Sequence, residues 1–150
     1  MSNIITKNKK AYHDYKILDK LEAGIALTGP EVKSAKMGNV SLKGGYVNIN
    51  KKNEAYVINL HIGPYKPANQ GKDYNPTRPK KLLLKRKEIN SLIGKIKQRG
   101  VSVIPLKMYS KSGIIKLEIG IAKGKKKQDK RQAIKKREIQ GKIKRHLKQY

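Results

Sequence analysis

At 150 residues the chain is long enough for one domain with a real core plus an extension, and its 37 Lys and Arg against 10 Asp and Glu leave a net charge of +27. A field of that size repels itself in a compact state and calls for a polyanionic partner, nucleic acid first and an anionic membrane second. No apolar run approaches the roughly 18 residues of a spanning helix, Ile4-Ile5 is too short for the apolar stretch of a signal peptide, and the absence of cysteine excludes a disulfide framework and a thiolate metal site. A reducing cytoplasm is the expected setting.

Taken in order, residues 1–10 read as a polar, mobile start. Tyr15 to Leu21 alternates apolar and polar residues as a half-buried strand does, and Ala23-Gly24-Ile25-Ala26-Leu27 continues it across Glu22. Gly24 marks a bulge or a close approach by another backbone. Thr28-Gly29-Pro30-Glu31 opens a helix of two turns, ended by Gly38. Tyr46–Asn50 and Ala55–Leu60 form a hairpin around Lys51-Lys52-Asn53-Glu54. The Pro-, Gly- and Asn-rich run from Gly63 to Pro79 is a loop of roughly 15 residues.

After Leu82, Leu83 and Leu84, the residues Ile89, Leu92, Ile93 and Ile96 sit at i, i+3, i+4 and i+7 and predict an amphipathic helix over Glu88–Lys97, closed by Gly100. Val101–Tyr109 and Ile114–Ile121 make a second hairpin around Lys111-Ser112-Gly113. Five to seven strands with two short helices predict a mostly β protein, a small closed barrel. Gly120 to Arg131 reads as a hinge, because two glycines sit where apolar residues thin out and charge takes over. From Gly120 to Tyr150 there are 13 Lys and Arg against Asp129 and Glu138, a net +11 over 31 residues. A barrel over 1–124 and a basic tail over 125–150 is the expected division. Ile134, Ile139, Ile143 and Leu147 give the tail a stripe too thin to fold alone, so it is expected to become helical on a polyanion that screens its lysines.

Enzyme chemistry finds little support. His13, His61 and His146 lie far apart with no ligand pair at metal spacing, so no metal, cofactor or catalytic residue is expected. Gly120–Lys126 departs from a phosphate loop, with three residues between its glycines and Lys126 where Ser or Thr would hold magnesium. Carboxylates are scarce and each needs a reason. Glu22 and Glu31 either pair with lysines, or Glu22 accepts a hydrogen bond from a base edge or ribose hydroxyl, a task a lysine cannot perform. Eight tyrosines stand beside no Phe or Trp. Tyr12 and Tyr15, near Lys9, Lys10 and His13, suit stacking on a base, with Tyr15 equally at home in a core.

Five motifs in order give the chain a resemblance. They are Asn8-Lys9-Lys10-Ala11-Tyr12-His13-Asp14-Tyr15, Glu22-Ala23-Gly24-Ile25-Ala26-Leu27, Gly29-Pro30-Glu31-Val32-Lys33-Ser34, Pro76-Thr77-Arg78-Pro79-Lys80-Lys81-Leu82-Leu83-Leu84, and Ala122-Lys123-Gly124-Lys125-Lys126 with Asp129-Lys130-Arg131. Together they make the sequence similar to the bacterial small protein B (SmpB) family over nearly its whole length. The resemblance implies an oligonucleotide-binding-type barrel that grips the tRNA-like part of transfer-messenger RNA. It also implies delivery of that RNA, with elongation factor Tu, to stalled ribosomes for trans-translation. By position it places Asn8, Lys9, His13, Tyr15, Glu22, Leu83, Lys123, Lys125 and Lys126 on the RNA face. Asp129, Lys130 and Arg131 fall in a tail acting at the decoding region and in the empty messenger channel. Gln128, where relatives can carry an aromatic residue or histidine, and Pro79, within a run that is usually basic, depart from the pattern. A cytoplasmic monomer without membrane contact is expected, and a structural ribosomal protein with a basic extension is the rival reading.

Overall fold

The computed structural model describes residues 2–68 and 73–125. Over these the chain forms β1 (Ser2–Lys7), α1 (Lys9–Asp14), β2 (Tyr15–Ile25), α2 (Gly29–Lys36), β3 (Val40–Ser41), β4 (Tyr46–Ile49), β5 (Ala55–Ile58), β6 (His61–Ile62), β7 (Lys80–Leu83), α3 (Arg86–Ile96), β8 (Val101–Lys111) and β9 (Ile114–Gly124). Seven strands form an antiparallel sheet in the order β1-β8-β9-β2-β7-β5-β4, and β3 pairs with β6 apart from it.

The long hairpin β8–β9 is the sheet's spine. Its two-residue loop puts Ser112 and Gly113 at positive φ, 52° and 80°, the turn whose twist matches that of the flanking strands. Along β9, Ile115, Leu117, Ile119 and Ile121 are buried in the main core. Lys116, Glu118, Gly120 and Ala122 therefore occupy the opposite face, because side chains alternate along a strand. The main core is completed by Leu82 on β7, Met108 on β8, Leu60, and Leu92 on α3. On α3, Leu92 is the buried residue and Ile96 packs against the core beside it, as the helical spacing predicts. Thr28 caps α2 reciprocally with Glu31, and Gly38, at φ +85°, follows the helix end.

The fold is mostly β, as expected, but four local readings need correction. First, residues 2–10 are not a free start. β1 pairs with β8 from Ser2↔Lys111 to Lys7↔Lys107, and Asn8 then caps α1. The strand is hidden in sequence because its partner lies about a hundred residues away and only Ile5 of its side chains packs against the main core. Second, nine strands and three α-helices exceed the expected number. The missing ones are two-residue pairs, a short helix and β7, too brief to show a period. Third, Gly120 to Gly124 is no hinge. It is paired strand, with Gly120 opposite both Lys20 and Ile104. A Cβ on Gly120 would stand 2.5 Å from Leu106 Cδ1, so close packing, and not bending, requires the glycine.

Fourth, the barrel curls without a closing ladder. β4 meets β8 side by side, with the position of a Gly45 Cβ 3.0 Å from the Pro105 ring, yet no β4–β8 ladder forms among the described residues. Pro105 has no N–H to offer, Leu106 O accepts from the Asn8 N–H at 2.8 Å, and Pro105 O accepts from the Asn8 amide at 2.9 Å. A cleft of about 580 Å³ marks the seam, with Gly44 and Gly45 on one wall and Val101 to Ile104 on the other.

Gly24 does sit at a close approach, but by the Leu83 side chain and not by another backbone. Its Cβ position lies 3.1 Å from Leu83 Cβ, where β7 begins its pairing with β2 at Gly24↔Leu83. The bulge in β2 falls instead between Ile17 and Asp19.

Candidate nucleic-acid interface

Directly opposed residues in an antiparallel pair share a face of the sheet, so the register of β9 maps the outer surface. Across Lys116 run Tyr109 of β8 and Gly24 of β2. The row extends to Ile4 of β1 and Leu83 of β7. Across Glu118 run Lys107 and Glu22. Across Gly120 and Ala122 run Ile104, Ser102, Lys20 and Ile17. One continuous outer face thus carries Tyr15, Glu22 and Leu83, with α1 over one end of it, whereas Lys123, opposite Lys16 and Val101, has the parity of the inner face. The outer face divides into an open end and a covered end.

At the open end Glu22, Gly24, Leu83, Lys81, Lys85 and Lys116 line a cleft of about 480 Å³ together with Asn53 and Glu54. Leu82 is buried and Leu83 is 57% exposed. The burial of one leucine and exposure of the next follow from strand alternation in β7. The apolar Leu83 side chain is thus held in solvent beside Gly24, whose missing side chain leaves it room. Glu22 is exposed and accepts from the Tyr109 hydroxyl through Oε2. Lys111 Nζ stands 4.0 Å from the same oxygen. Glu118, its cross-strand neighbour of like charge, is compensated by Lys107 at 3.7 Å and Lys20 at 3.9 Å. Two facing carboxylates are tolerated because three lysines surround them. Exposed pairs of this kind add little to stability, so their arrangement is spent on the surface they present.

The covered end lies beneath α1. Ala11, Ile104, Leu106 and Ala122 form a second apolar cluster on the outer face, with Tyr15 and Ile17 against it. Tyr15 is half-buried there, which is the core reading of that residue. Asn8 is buried: its Oδ1 accepts from the Ala11 N–H at 3.2 Å and its amide donates to the Pro105 and Leu42 carbonyls. An amide so occupied fixes the start of α1, and direct contact with another molecule would require breaking these bonds. Lys9 is exposed, His13 sits in the last turn of α1, and Lys123 is exposed near the end of β9. Lys125 ties the end of β9 to α1, its N–H donating to Asp14 O at 3.0 Å and its Nζ to Tyr12 O at 3.2 Å. Tyr12 is 43% exposed with the Lys20 ammonium 5.6 Å from its ring centre. Tyr15 and Glu22 are separated by about 20 Å of strand. Lys126, Gln128, Asp129, Lys130 and Arg131, with the apolar stripe of the tail, lie outside the described residues.

Glu31, the other carboxylate singled out in the sequence, takes the local-pairing role. It is fully buried, bonded to Arg78 at 2.5 Å and to the Thr28 N–H at 2.9 Å. Burial pushes its pKa up, but the Arg78 and Thr28 hydrogen bonds and the charges of Arg78 and Lys80 outweigh that, and the net displacement is downward. Lys80, equally buried, donates to the carbonyls of Leu60, Arg78 and Pro76 at 2.8, 2.9 and 3.2 Å. Burial pushes its pKa down to about 8. This cluster fastens the long loop to α2 and sets the start of β7, and through β7 it places Leu83.

Nothing local in the sequence singles out Tyr109, Lys107, Lys111 and Lys116 as site residues. Alternation along the second hairpin was the available signal, but which residues face Glu22 depends on a register between strands far apart in the chain. Among the described residues no group of three or more His, Asp or Glu is placed to hold a metal ion, and no helix is long and apolar enough to cross a membrane.

A curled antiparallel sheet with a lysine-rich outer face and an exposed leucine beside a fixed carboxylate defines the class of oligonucleotide-binding-type β modules. Residues 5–149 match the family model of the SmpB protein. The chain is 49% identical to the SsrA-binding protein of Streptococcus suis over 97% of its own length and 93% of the relative's. To the SsrA-binding protein of Geobacillus kaustophilus it is 48% identical, over 95% and 90% of the two chains. A solved structure described as "tmRNA-SmpB: a journey to the center of the bacterial ribosome" superposes with a TM-score of 0.67 at 39% identity, covering 86% of this chain and 93% of that one. The chain belongs to the SmpB family.

Proposed function

We propose that the protein binds the tRNA-like part of transfer-messenger RNA and brings it to stalled ribosomes for trans-translation, without catalysis of its own. The relatives' name, SsrA-binding protein, and the ribosomal setting of the structural neighbour support this. The observation that carries it is the outer face on which Glu22 and Leu83 share one cleft, with α1 and its Lys9 and His13 over the far end of that face. Lysines supply affinity through phosphates, and the leucine and carboxylate supply selection, since phosphate contacts position an RNA and base or ribose contacts specify it. Residues 125–150 serve the ribosome, Asp129, Lys130 and Arg131 at the decoding region, with elongation factor Tu as a further partner in delivery. The setting is cytoplasmic and the acting species a monomer.

The test is titration of the full chain against transfer-messenger RNA and an ordinary tRNA at about 200 mM salt, where unspecific charge contacts are weakened. Tight binding to the first alone is expected. Equal binding to both would make the charge unspecific and favour a structural ribosomal protein.

A further inference from the structure

The structure assigns Tyr109 as the residue that positions Glu22 for selection of the RNA. This rests on the reading of Glu22 as an RNA contact.

Tyr109 is large, aromatic and on the outer face, yet only 8% exposed. It therefore cannot offer its ring to a base. Lys107 lies over the ring at 5.4 Å from its centre, and Ile4 stands opposite it on β1. What Tyr109 offers is its hydroxyl, which donates to Glu22 Oε2. Burial, then the bond to Glu22 and the charges of Glu22 and Glu118, push its pKa well above the ordinary tyrosine value. The hydroxyl accordingly remains a donor at every pH at which RNA binds. Among the described residues both partners of the Glu22 carboxylate, Tyr109 and Lys111, approach Oε2, and Oε1 has none. A donor on one oxygen only fixes the carboxylate plane and keeps the second oxygen for a 2′-hydroxyl or an exocyclic amino group.

Tyrosine suits this task better than another lysine. Lys20, Lys107, Lys111 and Lys116 all lie nearby on the same face. A flexible ammonium in the place of Tyr109 would pair with the carboxylate as a charge without holding its orientation. The buried ring makes the donor rigid, and its neutrality leaves the Glu22 charge intact.

The test is a double-mutant cycle on the full chain with Tyr109→Phe and Glu22→Gln, titrated against transfer-messenger RNA and ordinary tRNA, with thermal midpoints measured alongside. Tyr109→Phe keeps the ring and its packing. Expected is a loss of about fivefold in affinity for transfer-messenger RNA, the scale of one hydrogen bond. Binding to tRNA and the slope of affinity against salt should stay unchanged, and Tyr109→Phe should cost nothing further once Glu22 is Gln. A full additional loss in the Gln background would overturn the proposal, because Tyr109 would then act elsewhere. So would an unaffected Tyr109→Phe beside a weakened Glu22→Gln, leaving the site itself standing. An inert Glu22→Gln would sink the reading of the site and this inference with it.

Discussion

Glu22 and Glu31 flank the same turn between β2 and α2, and the fold treats them in opposite ways. Glu31 is fully buried, and Arg78, the Thr28 N–H and the Tyr74 hydroxyl occupy its oxygens. Glu22 is exposed and keeps one oxygen without a partner among the described residues. A buried carboxylate has to be satisfied internally because an unpaired charge in the interior is too costly to keep. An exposed one with a rigid single donor is available to another molecule. In a chain of net charge +27, where almost any carboxylate can find a lysine, charge does not separate the two. Burial does.

The largest effect that would sharpen this contrast is on stability. Glu31→Gln removes the charge that compensates Arg78 and supports buried Lys80, and a loss of about 3 kcal/mol is expected, the scale for breaking a buried pair. Denaturant unfolding measures it, and Glu22→Gln should leave the midpoint almost unmoved. A comparable loss at both positions would break the distinction.

Next is the effect on binding. Leu83→Glu places a like charge before the phosphates and removes the apolar platform, so affinity for transfer-messenger RNA should fall by about tenfold or more. The melting temperature should hold, because the side chain is already exposed. A fall in stability equal to that of a buried leucine would mean Leu83 belongs to the core in solution.

Acid and base titrations extend the contrast to pH. The folded-state pKa of Glu31 is lowered, so its contribution is present above the unfolded value and is lost as pH falls through the folded one. Lys80 is lowered from 10.5 to about 8. The unfolded chain binds the extra proton between those values, and stability should rise as pH climbs from about 8 to 10. Tyr74, raised from 10.0 to about 12, works against that rise above pH 10. A Lys80→Met variant, unfolded by denaturant across this range, should lack the rise.

The smallest expected effects belong to the covered end. Asn8→Ala removes the cap of α1 and two bonds to carbonyls, which predicts a loss of about 1 kcal/mol and a uniform weakening of RNA binding. Lys123→Ala should weaken binding equally across RNAs and reduce the salt slope by about 1.

Much of this was legible in the sequence, and the pattern of what was not is physical. Strand β2, helix α2 with its cap, the two hairpins and helix α3 carry their own periods and punctuation, and each stands where local chemistry put it. Gly24 signals a bulge or a close approach, and only the strand pairing with β7 decides between them in favour of the Leu83 side chain. β1 and β7 carry no local signal because short strands borrow their order from partners distant in sequence. The glycines at 120 and 124 looked like flexibility, and Gly120 serves the packing of Leu106. Glu22 and Leu83 stand out by residue type and by resemblance. Their meeting in one cleft, and Tyr109 beside them, required the register of four strands.

Whether selection lies at the open end of the outer face and bulk affinity in the lysines is decided by the salt dependence of Glu22→Gln. Affinity for transfer-messenger RNA and for tRNA would be measured across a salt series with the full chain. Weaker binding of transfer-messenger RNA alone is expected, with both salt slopes unchanged. An equal change for both RNAs, or no change for either, would contradict it.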